Sequence, residues 1–529
     1  MRQKLINMGA LVFDEQAKGP HQNKIALYWE DEKGKQQNFT FHELYFLSNQ
    51  FGNLLKNVGV KKGERVFFFL PRVPLVYYGF IGALKIGAIP GTLFAAFAPQ
   101  ALEERLKNSG AKILVTNKDL YSRVQKIEKN LPELKKVLLV ENIQKLLAKT
   151  SVKLKVTKMK PEDPAFMLYT SATGNTPVCG IVIPHQAFPQ QLATTRLVLN
   201  LKENDVYWCT ADPGWITGVV YGILTPWACG ATQIIYEGRF EAKKWYSLLE
   251  DYRVNIWYTA PTAIKMLKQA GETLIKNYNL SSLRFVYSVG EALNPTLIDW
   301  SLKYWGKPIY ETYWQTETGA IMIANRPDQK IKPGSMGKSL PEIKAAIVDN
   351  KGKILPFNKK GNLAFKPGWD SMMVDVWRNK KRYQSYFRNG WYLTGDQAYQ
   401  DKDGYFWFVG RDSDMIKTSG ERVGAFEVES SLMKYPGIVE AGVIGKPDPL
   451  RGEIIKAFVV LQPSLRPSEA LKKKLQEYVK THLAGHAYPR EIEFIDKLPK
   501  TRSGKIMRRF LKAKELGLPI GDTSTLEEF

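Results

Sequence analysis

Apolar residues recur at helical spacing through Leu44, Leu47, Phe51, Leu54 and Leu55, directly behind Thr40-Phe41-His42-Glu43, whose Thr and Glu stand three apart as in a capping box. An amphipathic helix is predicted there. The run from Arg65 to Leu70 reads as a buried strand, Val76 to Ile86 as a helix, Pro99 to Asn108 as a second helical pattern and Ile113 to Thr116 as a short strand. Further strands are predicted at Ala165 to Tyr169, Val206 to Thr210 and Arg284 to Val289. Strands alternating with helices predict an α/β domain with a largely parallel sheet, in which ligands gather beyond the carboxyl ends of the strands.

The pattern changes after Trp391. Asp401-Lys402-Asp403-Gly404 is a hairpin signal, followed by the aromatic strand Tyr405 to Val409 and then by the polar, turn-prone Gly410-Arg411-Asp412-Ser413-Asp414. Beyond it lie a helix-like stretch, Ala425 to Met433, strands at Val439 to Gly445 and Ile454 to Leu461, and a helix capped by Ser468 with Leu471, Leu475, Tyr478, Val479 and Leu483 on one face. The expected organisation is a large N-terminal α/β domain of mostly parallel sheets over 1–410, a hinge over 411–414 and a small mobile C-terminal α+β lid domain over 415–529.

A chain of 529 residues exceeds one ordinary core, and 44% hydrophobic with 24% charged residues is an ordinary globular composition. Cys179, Cys209 and Cys229 show no metal spacing and cannot all pair, which favours a reducing compartment. The amino terminus lacks the apolar core of a secretion signal and no apolar run reaches membrane-spanning length, so a cytoplasmic protein is expected, with no membrane partner. The formal net charge of +24 fits nucleic acid or an anionic surface. It fits polyanionic small molecules better, because the lysines are scattered, with only short clusters such as Lys472 to Lys474. No nucleic acid is expected as a partner.

Several short stretches carry chemistry. Thr170-Ser171-Ala172-Thr173-Gly174-Asn175-Thr176-Pro177 follows a strand, and small hydroxylated loops of this kind wrap phosphates, although most are plain turns. In Tyr313-Trp314-Gln315-Thr316-Glu317-Thr318-Gly319, a Glu between threonines can hold magnesium on ATP phosphates, although alone such a turn is usually structural. Asp396, after a Gly at the end of an apolar run, is a short acceptor suited to the paired hydroxyls of a ribose. Pro499 to Arg509 is a basic stretch that could equally be a nucleic-acid patch.

Taken in order, these stretches resemble the AMP-forming acyl-CoA synthetases of the adenylate-forming family, over nearly the whole chain, and Met415 to Glu429 with Gly445-Lys446-Pro447-Asp448 looks most like the acetate-activating members. The resemblance implies activation of a short acid, acetate first, to an acyl-adenylate by ATP and Mg2+, then transfer to coenzyme A. It maps phosphate contacts onto Thr170, Ser171, Thr173, Thr176 and Thr316, and magnesium onto Glu317. Gly290, Glu291 and Ala292 would lie along adenine, with Glu311, Thr312, Tyr313 and Gln315 completing the nucleotide site, and Asp396 and Arg411 would bind ribose and phosphate. Ile216, Thr217, Val289 and Trp314 would line the acyl pocket, the indole filling the space that a longer acid needs. Lys505 would be the catalytic lysine of the first step and a target for a lysine acetyltransferase and deacetylase; Ser419, Gly420 and Arg422 would meet coenzyme A.

The chain departs from the family pattern in the phosphate loop. Ala172 stands at the first Gly, the loop is one residue longer, and Val178 and Cys179 replace the lysine after the proline. Fewer cations over a triphosphate imply a weaker grip on it. The alternatives are a propionyl- or other short- or medium-chain synthetase, and an impaired family member acting as a binding or regulatory protein.

Overall fold

The computed structural model describes residues 6–170, 178–418, 421–501, 506–520 and 526. Ser171, Thr173, Thr176, Ser419, Gly420 and Lys505 of the candidate site lie outside the described residues. The chain divides into two compact units: Met1–Gly290, Trp300–Lys330 and Gly368–Ser385 form one, and Glu291–Asp299, Ile331–Pro367 and Tyr386–Phe529 the other.

In the first unit the main sheet runs, in spatial order, through Ile323–Ala324, Ile309–Tyr313, Phe285–Ser288, Ile256–Thr259, Val206–Cys209, Thr232–Tyr236, Ile25–Glu30 and Gln36–Thr40. Its interior pairs are parallel, and only the outermost strand at each end of this series runs antiparallel. The interior strands are almost wholly buried, as the continuous apolar runs require of a sheet covered on both faces. Trp208 and Trp257 stack at 6.0 Å on that sheet, with Trp245 T-shaped and Trp305 tilted against Trp257. A second, all-parallel sheet orders Ile89–Leu93, Arg65–Phe69, Ile113–Thr116 and Lys136–Leu139. A third, antiparallel, joins Pro164–Tyr169, Gly180–Pro184 and Asp375–Val376.

The expected capping box is present: Thr40 Oγ1 accepts from the Glu43 N–H, and Glu43 accepts from the Thr40 N–H, at the start of helix Phe41–Asn57. The helix read from Val76 begins two residues earlier, at Pro74, because a proline at the first helical position loses no intrahelical bond.

The second unit is built from antiparallel sheets. One orders Ala345–Val348, Gly361–Phe365, Trp391–Gln400 and Phe387–Arg388, with Phe406–Arg411 also on Trp391–Gln400 across the predicted turn at Asp401 to Gly404. The other orders Glu421–Gly424, Met415–Thr418, Gly452–Leu461 and Ile438–Asp448, and Glu491–Phe494 adds to it in parallel. Helices Ala425–Leu432 and Glu469–His482 pack on that sheet through Val428, Leu432, Leu475 and Val479, and Ser468 caps the second by accepting from the Leu471 N–H.

Candidate active site

Beside the parallel strand Ile256–Thr259, the candidates Val289 and Gly290 follow the carboxyl end of Phe285–Ser288, and Trp314 to Glu317 that of Ile309–Tyr313. Val289 extends the middle one, its N–H donating to the Thr259 carbonyl at 3.2 Å. Trp314 follows the third, and its indole N–H donates to Tyr258 Oη at 3.3 Å. Tyr221 and the Trp314 indole form a T-shaped ring pair, 5.0 Å apart at 88°. Tyr221 belongs to the helical stretch opened by Ile216 and Thr217, so this contact ties both candidate pocket segments to Trp314. Ile216, Thr217, Val289 and Trp314 keep 7%, 8%, 8% and 9% exposure, whereas Val219, Tyr221 and Tyr258 beside them have none. All seven are buried, the first four with a small residual exposure.

After Trp314 the chain turns sharply through the 3-10 helix Thr316–Thr318, which carries Glu317 half-buried. The turn closes on itself, the Gln315 N–H donating to Thr318 Oγ1 at 3.0 Å and Thr318 Oγ1 donating to the Gln315 carbonyl at 2.9 Å. The segment Trp369–Met373 holds it from outside: Trp369 Nε1 and Ser371 Oγ donate to the Thr318 carbonyl at 2.9 and 2.7 Å, and the Met373 N–H donates to the Glu317 carbonyl at 3.0 Å. Gln191 Nε2 completes the clamp by donating to the Gly319 carbonyl at 2.9 Å. This support was not legible in the sequence; its only mark there is the polar break Pro367-Gly368-Trp369-Asp370-Ser371.

Thr312 is buried inside the same unit and its hydroxyl is engaged there, donating to the Ser288 carbonyl at 2.9 Å. Glu311 is buried on the same strand and Tyr313 half-buried. Thr170 follows strand Pro164–Tyr169, its N–H donating to the Cys179 carbonyl at 3.3 Å. Where the family pattern places a lysine, Val178 packs against an apolar core and burial pushes the Cys179 thiol up, so neither offers a cation or a ready thiolate.

The second unit holds the candidate ribose site. Asp396 is buried on strand Trp391–Gln400, pairs in register with Arg411, and has its carboxylate 3.7 Å from the Arg411 guanidinium. The Asp396 N–H donates to Thr394 Oγ1 at 3.1 Å, and that hydroxyl donates to the Leu363 carbonyl at 2.9 Å, which fixes the carboxylate-bearing residue on two neighbouring strands. Glu291 and Ala292 are half-buried in this unit.

The stretch read as a hinge is a single 3-10 turn, Asp412–Asp414. Gln397 Nε2, donating to Asn362 Oδ1 at 2.7 Å, also donates to Asp412 Oδ1 at 3.3 Å. Arg508 forks onto Glu429, Nε to Oε1 at 2.8 Å and Nη2 to Oε2 at 2.6 Å, and its Nη1 reaches Asp414 Oδ2 at 3.3 Å. Burial works against this cation, yet Glu429 and Asp414 beside it raise its pKa overall, so it stays charged. Arg422, exposed on strand Glu421–Gly424, lies opposite Lys417. Among the described residues no group of three or more His, Cys, Asp or Glu side chains is placed to cage a metal ion.

The profile of the AMP-binding enzymes matches residues 13–372, and that of the AMP-binding enzyme C-terminal domain matches 427–505. The chain belongs to the AMP-binding enzymes. Among AMP-binding enzymes it is 51% identical over 535 residues to the acetyl-coenzyme A synthetase of Bacillus subtilis, covering 99% of this chain and 93% of that one. It is 40% identical to the acetyl-coenzyme A synthetase of Methanothrix thermoacetophila, covering 98% and 84%. The structure of the anthranilate CoA ligase AuaEII in complex with anthranoyl-AMP superposes with a TM-score of 0.88 at 30% identity, covering 97% of this chain and 98% of that one. That of the Brucella canis acyl-CoA synthetase does so with 0.76 at 34%, covering 97% and 95%. No helix among the described residues is long and apolar enough to cross a membrane.

Proposed function

We infer that this chain joins acetate to coenzyme A with ATP, in two steps. A carboxylate is a poor acyl donor, because a nucleophile attacking it would have to expel an oxide. In the first step an acetate oxygen attacks the α-phosphorus of ATP, the bond to pyrophosphate breaks, and acetyl-AMP forms. In the second, the coenzyme A thiolate attacks the acyl carbon and AMP leaves. The identity with acetyl-coenzyme A synthetases along essentially the whole chain supports the reaction class. The observation that carries the choice of acid is Trp314, held by hydrogen bond and ring contact among residues that keep a small residual exposure.

In this reading Ile216, Thr217 and Val289 form the acyl pocket with Trp314, Thr316 and the loop from Thr170 to Thr176 receive phosphates, and Glu317 holds magnesium. One half-buried carboxylate suffices, since magnesium arriving on ATP phosphates needs only one or two protein carboxylates. Bound there, the ion would neutralise phosphate charge. Gly290, Glu291 and Ala292 flank adenine, and Asp396 and Arg411 take the ribose and α-phosphate. Lys505 serves adenylation alone; a turn about 412–414 then withdraws it and brings Ser419, Gly420 and Arg422 to coenzyme A, with 1–410 and 415–529 as the two moving bodies. Acetylation of Lys505 would remove its charge and silence the first step. The protein works in the cytoplasm.

Acetate-dependent exchange of labelled pyrophosphate into ATP tests the first step, and AMP release across formate, acetate, propionate, butyrate and octanoate tests the acid. Exchange with acetate, and release falling beyond propionate, are expected. No exchange with any of these acids would leave a binding or regulatory role, which the loss of the loop cation would then explain.

A further inference from the structure

The proton on each hydroxyl around Trp314 can be assigned. Thr312 Oγ1 donates to the Ser288 carbonyl at 2.9 Å, and a hydroxyl has one proton. Across the 2.7 Å contact between Tyr258 Oη and Thr312 Oγ1, the tyrosine must therefore be the donor. With its own proton spent there, Tyr258 Oη has lone pairs for the Trp314 indole N–H, which can only donate. The chain runs one way: Trp314 N–H to Tyr258 O–H to Thr312 O–H to the Ser288 carbonyl. It starts at the indole and ends on the backbone of the strand that continues into Val289, all four groups being buried.

We infer that Tyr258 is a positioning residue for the acyl pocket, fixing the Trp314 indole in the orientation that limits acid length. The inference rests on the reading of Trp314 as a pocket wall. Tyr221 meets the indole only through the T-shaped ring contact, since its own Oη accepts from the Ile321 N–H at 3.0 Å and meets Thr194 Oγ1 at 2.8 Å. Among the described residues Tyr258 Oη is the acceptor of the indole N–H, and without it the orientation that places the N–H there would lose its advantage. Burial raises the tyrosine pKa well above its ordinary value, so the chain keeps its direction at any working pH.

Tyr258→Phe keeps the ring and removes only the oxygen. The ratio of kcat/KM for butyrate to that for acetate should rise by about tenfold, the size of one buried hydrogen bond lost, through a higher KM for acetate more than a lower kcat. Thr312→Val breaks the chain one link later and should move the ratio the same way to a smaller extent. Tyr221→Phe removes an equally buried hydroxyl outside the chain and should leave the ratio in place; equal shifts in both tyrosine variants would mean general loosening and overturn the inference. Trp314→Gly separates the two ideas. If it leaves the acid profile unchanged, Trp314 is not a pocket wall; if it shifts the profile while Tyr258→Phe and Thr312→Val do not, the pocket stands and the positioning role falls. In a Trp314→Gly background, Tyr258→Phe should change the ratio no further.

Discussion

Gly319→Ala should disable adenylation from a position whose side chain would touch no substrate. Gly319 ends the Thr316–Thr318 turn with φ of +70°, where an L-residue is strained by roughly 1–2 kcal/mol. A Cβ there would lie 2.9 Å from the carbonyl carbon of Ser371 and 3.2 Å from its Cβ, with the carbonyl oxygen nearer still. The backbone cannot swing away as a side chain would, so the turn and the segment Trp369–Met373 must part. The four hydrogen bonds from Trp369, Ser371, Met373 and Gln191 that hold the turn oppose this. Overpacking of this kind costs about 1–3 kcal/mol, which with the strain gives about 2–5 kcal/mol of lost stability. A displacement of roughly an ångström at Thr316 and Glu317 would lower adenylation by about a hundredfold. Urea unfolding and acetate-dependent pyrophosphate exchange, the latter scaled to the folded fraction, measure the two. A variant within about 0.5 kcal/mol and twofold of the parent would refute both the clash and the role of the turn, given that ordinary surface changes fall in that range.

Lys505→Ala should abolish acetyl-AMP formation and spare thioester formation from supplied acetyl-AMP, as should quantitative acetylation of Lys505; equal loss of both half-reactions would contradict its role. Asp396→Ala should raise KM for ATP roughly ten- to hundredfold, the range of a hydrogen bond to a charged group, with little change in acid preference; an unaltered KM would remove Asp396 from the ribose site. His185 is buried with Nδ1 accepting from the Met8 N–H at 3.0 Å, and burial, partly offset by Asp163, lowers its pKa from 6.5 to about 4. The unfolded chain therefore binds the extra proton between those values, so this group's share of stability is intact above pH 6.5 and is lost on acidification towards pH 4. About 2 kcal/mol should disappear between pH 7 and 5, and His185→Asn, which keeps an acceptor, should flatten that slope in urea titrations; an unchanged slope would assign it to other groups.

What could be read from the sequence is what local chemistry decides. The capping box at Thr40 and Glu43 and the turn at Asp401 to Gly404 are written within a few residues of one another, and both are found. The antiparallel sheet joining Gly361–Phe365 to Trp391–Gln400 is not, because its register depends on partners some thirty residues away in the chain. Ile438–Asp448 runs three residues past the predicted Gly445, through a proline that reads as a breaker, because Pro447 and Asp448 pair with Glu453 and Gly452 of the returning strand. The candidate residues stand in motifs. Tyr221, Ser371 and Trp369, which support them, carry no such mark, and a tyrosine in an apolar strand such as Tyr258 shows nothing in sequence of where its hydroxyl points.

Asp412 and Asp414, two residues apart, are moored to different elements of the second unit. The first is tied upstream through Gln397, the second downstream through Arg508 to Glu429. Ser413 alone lies between the moorings, so in the turn proposed about 412–414 its φ and ψ are the ones that could change without parting either. A β-branched or cyclic residue at 413 would stiffen the swivel while leaving both ends fastened, slowing exchange between the two half-reactions without impairing either.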